Sequence, residues 1–155
     1  MLDSVEASQR VEEILNQMKD MEGALLPILH AVQAEFGHIP QWVLPQIAKA
    51  LNISRAEVHG VMSFYHDFRT APAGRHVVKL CRAEACQAMG ADRIAAHARA
   101  ALGVDFHETT PDNRVTLEPV FCLGLCACGP AAIIDGKLQG RVDEARLDTL
   151  LGALT

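Results

Sequence analysis

The five cysteines of the sequence fall into two groups, and their placement constrains the fold more than any other feature. Four residues separate Cys81 from Cys86, three separate Cys122 from Cys126, and Cys128 follows two positions later. Cys81 ends the short β-branched run HVVKLC, and Cys122 ends a run of alternating polarity, so each group stands at the end of a predicted strand. If these strands are neighbours in one sheet, the two groups of thiols can face each other.

Cysteine pairs in this arrangement are typical of a metal centre. Four thiolates brought together can bind a tetrahedral zinc ion or a [2Fe–2S] cluster. Structural zinc sites often use tight turns with gaps of about two residues, whereas the wider gaps here suit a two-iron core. The surrounding glycines, Gly90, Gly124 and Gly129, would let backbone N–H groups approach the sulfurs of an anionic cluster. The spacing therefore favours [2Fe–2S], with zinc or metal-free thiols as the alternatives.

Composition indicates an ordinary globular protein. The chain has 155 residues, of which 50% are hydrophobic, and a net charge of −5, which argues against a general phosphate-binding surface. The N-terminal residues show no secretory signal, and no apolar run approaches the roughly 20 residues that span a bilayer. We therefore expect a cytoplasmic protein without membrane insertion, whose cysteines stay reduced and bind metal or do redox chemistry.

Helical periodicity dominates the chain before the breaker segment at residues 69–74. Apolar residues recur at helical spacing over residues 11–18, 22–36 and 41–51, and Gly37 is a plausible stop for the second helix. Ser54 and Glu57 form a capping box, which predicts that a fourth helix begins at Arg55.

The pattern changes to that of a mixed domain after the breaker segment. The predicted strands cover residues 76–81, 115–122, 131–135 and 138–142, the predicted helices cover 87–102 and 143–151, and Asp135–Gly136 is a predicted hairpin turn. The expected fold class is α+β, with a helical bundle over residues 1–72 followed by an α/β domain over residues 73–155.

A family resemblance rests on the cysteine segments. CRAEACQAMGA (81–91) and CLGLCACGPAAIID (122–135) resemble the cluster motifs of the thioredoxin-like [2Fe–2S] ferredoxins. The similarity continues upstream through residues 37–81, which include a Phe-Tyr element, and covers roughly residues 22–142. The family includes the small iron–sulfur subunit of respiratory complex I and the gamma subunits of soluble NAD-dependent formate dehydrogenases and hydrogenases.

The resemblance implies a thioredoxin-like domain that holds one [2Fe–2S] cluster through Cys81, Cys86, Cys122 and Cys126. The family pattern requires no cysteine at Cys128, which stays an alternative to Cys126. The implied role is a non-catalytic electron-transfer subunit, next to the flavin (FMN/NAD-binding) subunit and a catalytic subunit of a larger oxidoreductase. Among these family members, the sequence most resembles the gamma subunit of a formate dehydrogenase, and the complex I and NAD-reducing hydrogenase counterparts are the alternatives.

Residues 46–62 also read as a helix-turn-helix, which raises the alternative of a redox sensor that binds DNA. The second helix offers Arg55, Glu57 and His59, without the run of side chains that reads base edges, so we expect no nucleic-acid partner. No histidine pair has metal-ligand spacing, and His59 and His66 are expected at the surface. The sequence contains no glycine-rich dinucleotide motif after a strand and no P-loop, so the nucleotide site is expected on another subunit.

The helical half is expected to dock the chain onto the flavin subunit. Its aromatic residues are of the kind that anchor interfaces or pack in a core, rather than stack on a cofactor. The residues behind this expectation are the acidic Glu6, Glu12, Glu13, Asp20 and Glu22 and the aromatic Trp42, Phe64, Tyr65 and Phe68.

Overall fold

The structure, a computed structural model, describes residues 4–154. The chain divides into two compact units between Pro72 and Ala73, and each has its own hydrophobic core. The outer limits predicted for the two domains, residues 1 and 155, lie outside the described residues. Among the described helices, none has the length and apolar character needed to cross a membrane.

The first unit consists of four helices: α1 (Ser4–Met18), α2 (Leu25–Phe36), α3 (Leu44–Leu51) and α4 (Arg55–Phe64). Each helix turns one apolar face inward, as its periodicity predicted. The largest fully buried side chains of this core are Val11, Ile28, Leu29, Val32, Ile39, Val43, Ile47 and Val58.

Local signals set most helix ends in this unit. Gly37 ends α2 in a left-handed conformation (φ 73°), and the capping box of Ser54 and Glu57 starts α4, so both predictions are confirmed. The second helix begins at Leu25 rather than at residue 22, because Gly23 adopts a positive φ of 69°. The third begins with a 3₁₀ turn, since the ring of Pro45 would clash with an α-helical carbonyl four residues earlier.

The second unit is built on a five-stranded sheet in the order β2-β3-β1-β4-β5. The central strands β1 and β3 run parallel, and the other neighbouring pairs run antiparallel. This sheet beside the helices confirms the predicted α+β class. The strands are β1 (His76–Cys81), β2 (Glu108–Thr109), β3 (Val115–Val120), β4 (Ala132–Ile134) and β5 (Lys137–Gln139).

Three helices accompany the sheet: α5 (Glu84–Ala88), α6 (Ala91–Leu102) and α7 (Glu144–Gly152). The prediction of one helix over residues 87–102 is wrong, because Gly90 adopts a left-handed φ of 90° and separates α5 from α6. The predicted strand over residues 115–122 ends at Val120, and the strands predicted over 131–135 and 138–142 are shorter than expected. The Asp135–Gly136 turn is confirmed, with φ values of 48° and 79° that suit a tight hairpin.

The aromatic side chains of the first unit differ in exposure. Phe68 is only 8% exposed and packs against the ring of His30, so it belongs to the core and its assignment as an interface anchor is wrong. Phe64 is 73% exposed, so a core-packing role is wrong for this residue. Trp42 and Tyr65 are also exposed, and each makes a T-shaped contact with a neighbouring aromatic ring.

Candidate metal centre

Parallel pairing of β1 and β3 brings the two cysteine segments to the same end of the sheet, where both strands finish. Cys81, the last residue of β1, lies opposite Val120, the last residue of β3. The backbone N–H of Arg82 donates to the carbonyl of Val120 at 2.7 Å and extends this pairing past the strand ends. The loops that follow the two strands therefore begin side by side, as the sequence predicted.

The first thiol pair is buried and formed by Cys81 and Cys86. Cys86 lies in the short helix α5 and its thiol hydrogen bonds to Cys81. Burial acts to raise the pKa of Cys81, but backbone N–H donors at Ala83, Cys122 and Leu123 outweigh it, so the pKa lies below its ordinary value. Burial and the hydrogen bond to Cys81 raise the pKa of Cys86. The Cys81 sulfur is therefore already surrounded by groups that stabilise a thiolate.

The second thiol pair is exposed and formed by Cys122 and Cys126. Their Sγ atoms lie 3.8 Å apart, and the N–H of Gly124 donates to the Cys122 sulfur at 3.4 Å. Cys122 follows the end of β3 with a positive φ of 78°, which turns the chain towards Cys126 in the next 3₁₀ turn. The hydrogen bond to Cys122 and negative charge at Cys122 and Cys81 raise the pKa of Cys126.

The fifth cysteine, Cys128, is half-buried at the end of the same 3₁₀ turn. Its carbonyl accepts a hydrogen bond from the N–H of Arg141 at 2.6 Å, and its N–H donates to the carbonyl of Leu125 at 2.8 Å. A Cβ atom on Gly140 would lie 3.1 Å from the Cys128 Cβ, so the glycine leaves room for this side chain. These contacts attach Cys128 to the segment after β5.

The donor set fits a binuclear cluster. Within residues 4–154, no three Cys, His, Asp or Glu side chains are grouped as the ligands of one metal ion would be. The thiols form two pairs instead, and a [2Fe–2S] cluster requires two ligands on each iron. A Cβ on Gly129 would lie 3.4 Å from the Cys86 Sγ, so the absence of a side chain leaves space beside that sulfur.

The backbone donors of the site were not predictable individually. The N–H groups of Ala83, Leu123 and Gly124 donate to cysteine sulfurs, and so does that of Ala131 to Cys86. The only sequence signal for them is the glycine-rich, uncharged composition of the loop at residues 121–130. Two histidines form pairs with carboxylates, His76 with Asp135 and His97 with Asp148, both at 2.7 Å.

Comparison with known proteins identifies the family. The sequence profile of the thioredoxin-like [2Fe-2S] ferredoxins matches residues 11–155. The chain is 36% identical to an NADH-quinone oxidoreductase subunit of Rhizobium meliloti, over 92% of this chain and 85% of that protein. It is 30% identical to the NADP-reducing hydrogenase subunit HndA of Solidesulfovibrio fructosivorans, over 92% of this chain and 84% of that protein.

A solved structure shares the fold over most of the chain. The crystal structure of an NAD⁺-reducing [NiFe]-hydrogenase in the H₂-reduced state superposes with a TM-score of 0.71 and 27% identity. The match covers 84% of this chain but only 22% of the hydrogenase chain, so this protein corresponds to about a fifth of that chain. Together, the paired thiols and the profile match show that the chain belongs to the thioredoxin-like [2Fe–2S] ferredoxin family, which confirms the predicted family and its [2Fe–2S] cofactor.

Proposed function

We propose that this chain is an electron-transfer subunit of a larger NAD- or NADP-linked oxidoreductase and holds one [2Fe–2S] cluster through Cys81, Cys86, Cys122 and Cys126. The observation that carries the proposal is the placement of two thiol pairs where neighbouring parallel strands end and their following loops begin. The relatives support the wider role, because they are subunits of NADH-quinone oxidoreductase and of NADP-reducing hydrogenase.

The residues around the thiols have distinct tasks in this role. When bound, the cluster supplies one-electron chemistry. The buried pair, Cys81 and Cys86, is shielded from water, and backbone N–H groups donate to the Cys81 sulfur. Such donors stabilise negative charge on sulfur and so favour the reduced state. The exposed pair, Cys122 and Cys126, opens the site to a partner, which suits transfer without a substrate pocket.

The partner proposed for this exposed side is the flavin (FMN/NAD-binding) subunit of the same complex. Phe121 is 73% exposed next to Cys122, and Met89 is exposed just after α5, the helix of Cys86. Large apolar side chains beside a redox centre are well suited to exclude water at a protein interface. The exposed aromatic rings of Phe64 and Tyr65 give the helical unit further residues for docking.

The specific complex we propose is a soluble NAD-dependent formate dehydrogenase, with this chain as its gamma subunit. The support is the likeness of the segment CLGLCACGPAAIID (122–135) to that subunit type. Complex I and NAD-reducing hydrogenase are the alternatives. The relatives that support them are subunits of an NADH-quinone oxidoreductase and of an NADP-reducing hydrogenase, and the superposed structure is an NAD⁺-reducing hydrogenase.

The test is anaerobic purification of the tagged full chain from its native host, with identification of every protein that co-purifies. A flavoprotein together with a formate-oxidising subunit is the expected result. A hydrogenase or quinone-reducing partner would replace the specific proposal by one of its alternatives. Recovery without any flavoprotein, under conditions that preserve the complex, would contradict the electron-transfer role itself.

The alternative of another class, a redox sensor that binds DNA, depends on residues 46–62. These residues lie in two successive helices, α3 and α4. The capping carboxylate of Glu57 accepts from both the N–H and the hydroxyl of Ser54, so this polar group is already engaged at the start of the second helix. Duplex binding with a steep salt dependence would favour a DNA-binding redox sensor over the carrier.

A further inference from the structure

We propose that an apolar groove of the helical unit binds a segment of the flavin subunit that presents apolar side chains and a carboxylate. The inference rests on the proposed function and deepens it, because it names the place and the chemistry by which the helical unit docks. The groove lies entirely within residues 19–65, so it belongs to the first unit alone.

The groove has a volume of about 820 Å³. Its walls come from the loop between α1 and α2, the start of α2, the end of α3 and one side of α4. Met21 and Tyr65, which also line it, are exposed to solvent. The other large apolar residues of the lining pack against the helical core and remain partly exposed: Leu25, Leu26, Leu51, Ile53 and Val61.

A glycine in the interior of α4 keeps one wall of the groove low. Gly60 lines the groove at a helical position where glycine is less favourable than alanine. Among the described residues, no atom beyond the adjoining backbone lies within 4 Å of the place where its Cβ would be, so packing within the chain does not call for a glycine. The missing side chain instead leaves the backbone of α4 open to close approach by another molecule.

The charges of the lining favour an acidic occupant. Two of the lining residues are charged, Lys19 and Glu57. The Glu57 carboxylate is engaged at the start of α4, where it accepts from the N–H and the hydroxyl of Ser54, both at 2.7 Å. The Lys19 side chain is exposed, and its ammonium has no ion-pair partner within residues 4–154. A partner carboxylate beside the apolar wall can therefore pair with Lys19.

The lining also favours a protein segment over a small molecule. Small-molecule sites fix their ligand through several convergent polar groups, whereas this lining is mostly apolar and leaves one cation uncommitted. Apolar side chains that enter a groove are a common mode of protein docking. The ring of Tyr65 contacts that of Phe64, with centres 5.2 Å apart, so the groove is continuous with the aromatic residues proposed above for docking.

The first experiment measures the affinity of the full-length chain, with its cluster, for the flavin subunit isolated from the co-purified complex. Gly60→Leu places a good helix former at an open position and fills the groove. We expect the iron content of the wild type, a thermal midpoint at or above its value, and binding weakened by roughly tenfold. His59→Leu adds the same side chain to the same helix outside the groove lining and should bind as the wild type does.

The second experiment tests the proposed charge pair. Lys19→Glu should weaken binding by roughly tenfold. Lys49→Glu makes the same change of charge at an exposed lysine that does not line the groove, and should bind as the wild type does. Zero-length carbodiimide cross-linking of the wild-type complex should join the Lys19 amine to a carboxylate of the flavin subunit, as located by peptide mass spectrometry.

Several results would overturn the inference. Wild-type affinity in Gly60→Leu would show that no segment occupies the groove, and equal losses in Lys19→Glu and Lys49→Glu would assign the charge effect to the general field of the unit. Should Gly60→Leu fail to fold, the absence of a cross-link from Lys19 to the flavin subunit decides against the inference.

Other occupants of the groove would give distinct results. A wild-type dimer that Gly60→Leu dissociates would assign the groove to a second copy of the chain. A fatty acid retained by the wild type but not by Gly60→Leu in native mass spectrometry, with unchanged affinity for the flavin subunit, would assign it to a small amphiphile. A wild-type chain that binds no flavoprotein would refute the proposed function, whereas a wild-type complex that the groove variants leave intact refutes this inference alone.

Discussion

The Sγ atoms of Cys122 and Cys126 lie 3.8 Å apart in the loop after β3. Cys128, two positions further on, instead forms backbone hydrogen bonds with Arg141 and Leu125. The two cysteines of one 3₁₀ turn, Cys126 and Cys128, therefore have different surroundings. This difference makes the identity of the fourth ligand testable with closely matched variants.

We expect Cys126→Ser to lose most of its iron and Cys128→Ser to keep the wild-type content. A hydroxyl is a harder and less acidic ligand than a thiol, so it holds iron of a thiolate cluster poorly. Serine at Cys81, Cys86 or Cys122 should have the same effect as at Cys126. Iron and acid-labile sulfide per chain are the measurements. Loss of iron in Cys128→Ser with retention in Cys126→Ser would show that Cys128 is the ligand.

The docking role of the helical unit predicts different effects at two aromatic residues. Phe64 is 73% exposed and Phe68 only 8%. Phe64→Ser should weaken co-purification of the flavin subunit with little change in thermal stability. Phe68→Ala should instead destabilise the fold by roughly 3 kcal/mol, because it opens a cavity in the helical core. Full binding of the flavin subunit by Phe64→Ser would remove this residue from the interface.

The hairpin turn between β4 and β5 provides a prediction about pH. Asp135 accepts from the Nδ1 of His76 at 2.7 Å and from the N–H of Val77 at 2.9 Å. Burial acts to raise the pKa of this carboxyl, but these bonds outweigh it and hold the pKa below the ordinary 3.8. Because the pKa of Asp135 is lower in the folded protein than in the unfolded chain, its carboxylate stabilises the fold above pH 3.8. This stabilisation is lost as the pH falls through the pKa of Asp135 in the folded protein.

Asp135→Asn should therefore cost on the order of 1 kcal/mol at neutral pH, a modest amount because the side chain is partly exposed. Asparagine tolerates the left-handed backbone of this turn, so the change tests the carboxylate alone. The measurement is the free energy of unfolding by denaturant at neutral pH and below pH 3.8. The difference between the two proteins should shrink in acid, and a difference that is independent of pH would contradict the assignment.

Local signals in the sequence predicted much of the fold. The capping box of Ser54 and Glu57 and the Asp135–Gly136 turn depend on side chains close together in sequence, and both form where expected. The position of Cys81 at the end of β1 was also predictable, because a β-branched run precedes it, whereas β3 ends at Val120, two residues before Cys122.

Features that depend on tertiary packing were not predictable. The break at Gly90 interrupts an alanine-rich stretch with good helical periodicity, and the positive φ of Cys122 has no local signal because the residue is not glycine. The short strand β2 forms only because β3 is there to pair with it. The same holds for the N–H donors to the Cys81 sulfur, which come from two loops aligned by the pairing of β1 with β3.

Electron uptake by the isolated chain tests the central claim most directly. The anaerobically purified full-length protein, with its cluster, is titrated with dithionite, NADH and formate in turn while the visible spectrum is followed. The account predicts uptake of a single electron from dithionite and no bleaching by NADH or formate, because the sequence contains no dinucleotide-binding motif. Rapid bleaching by NADH alone, or no uptake of an electron from dithionite, would contradict it.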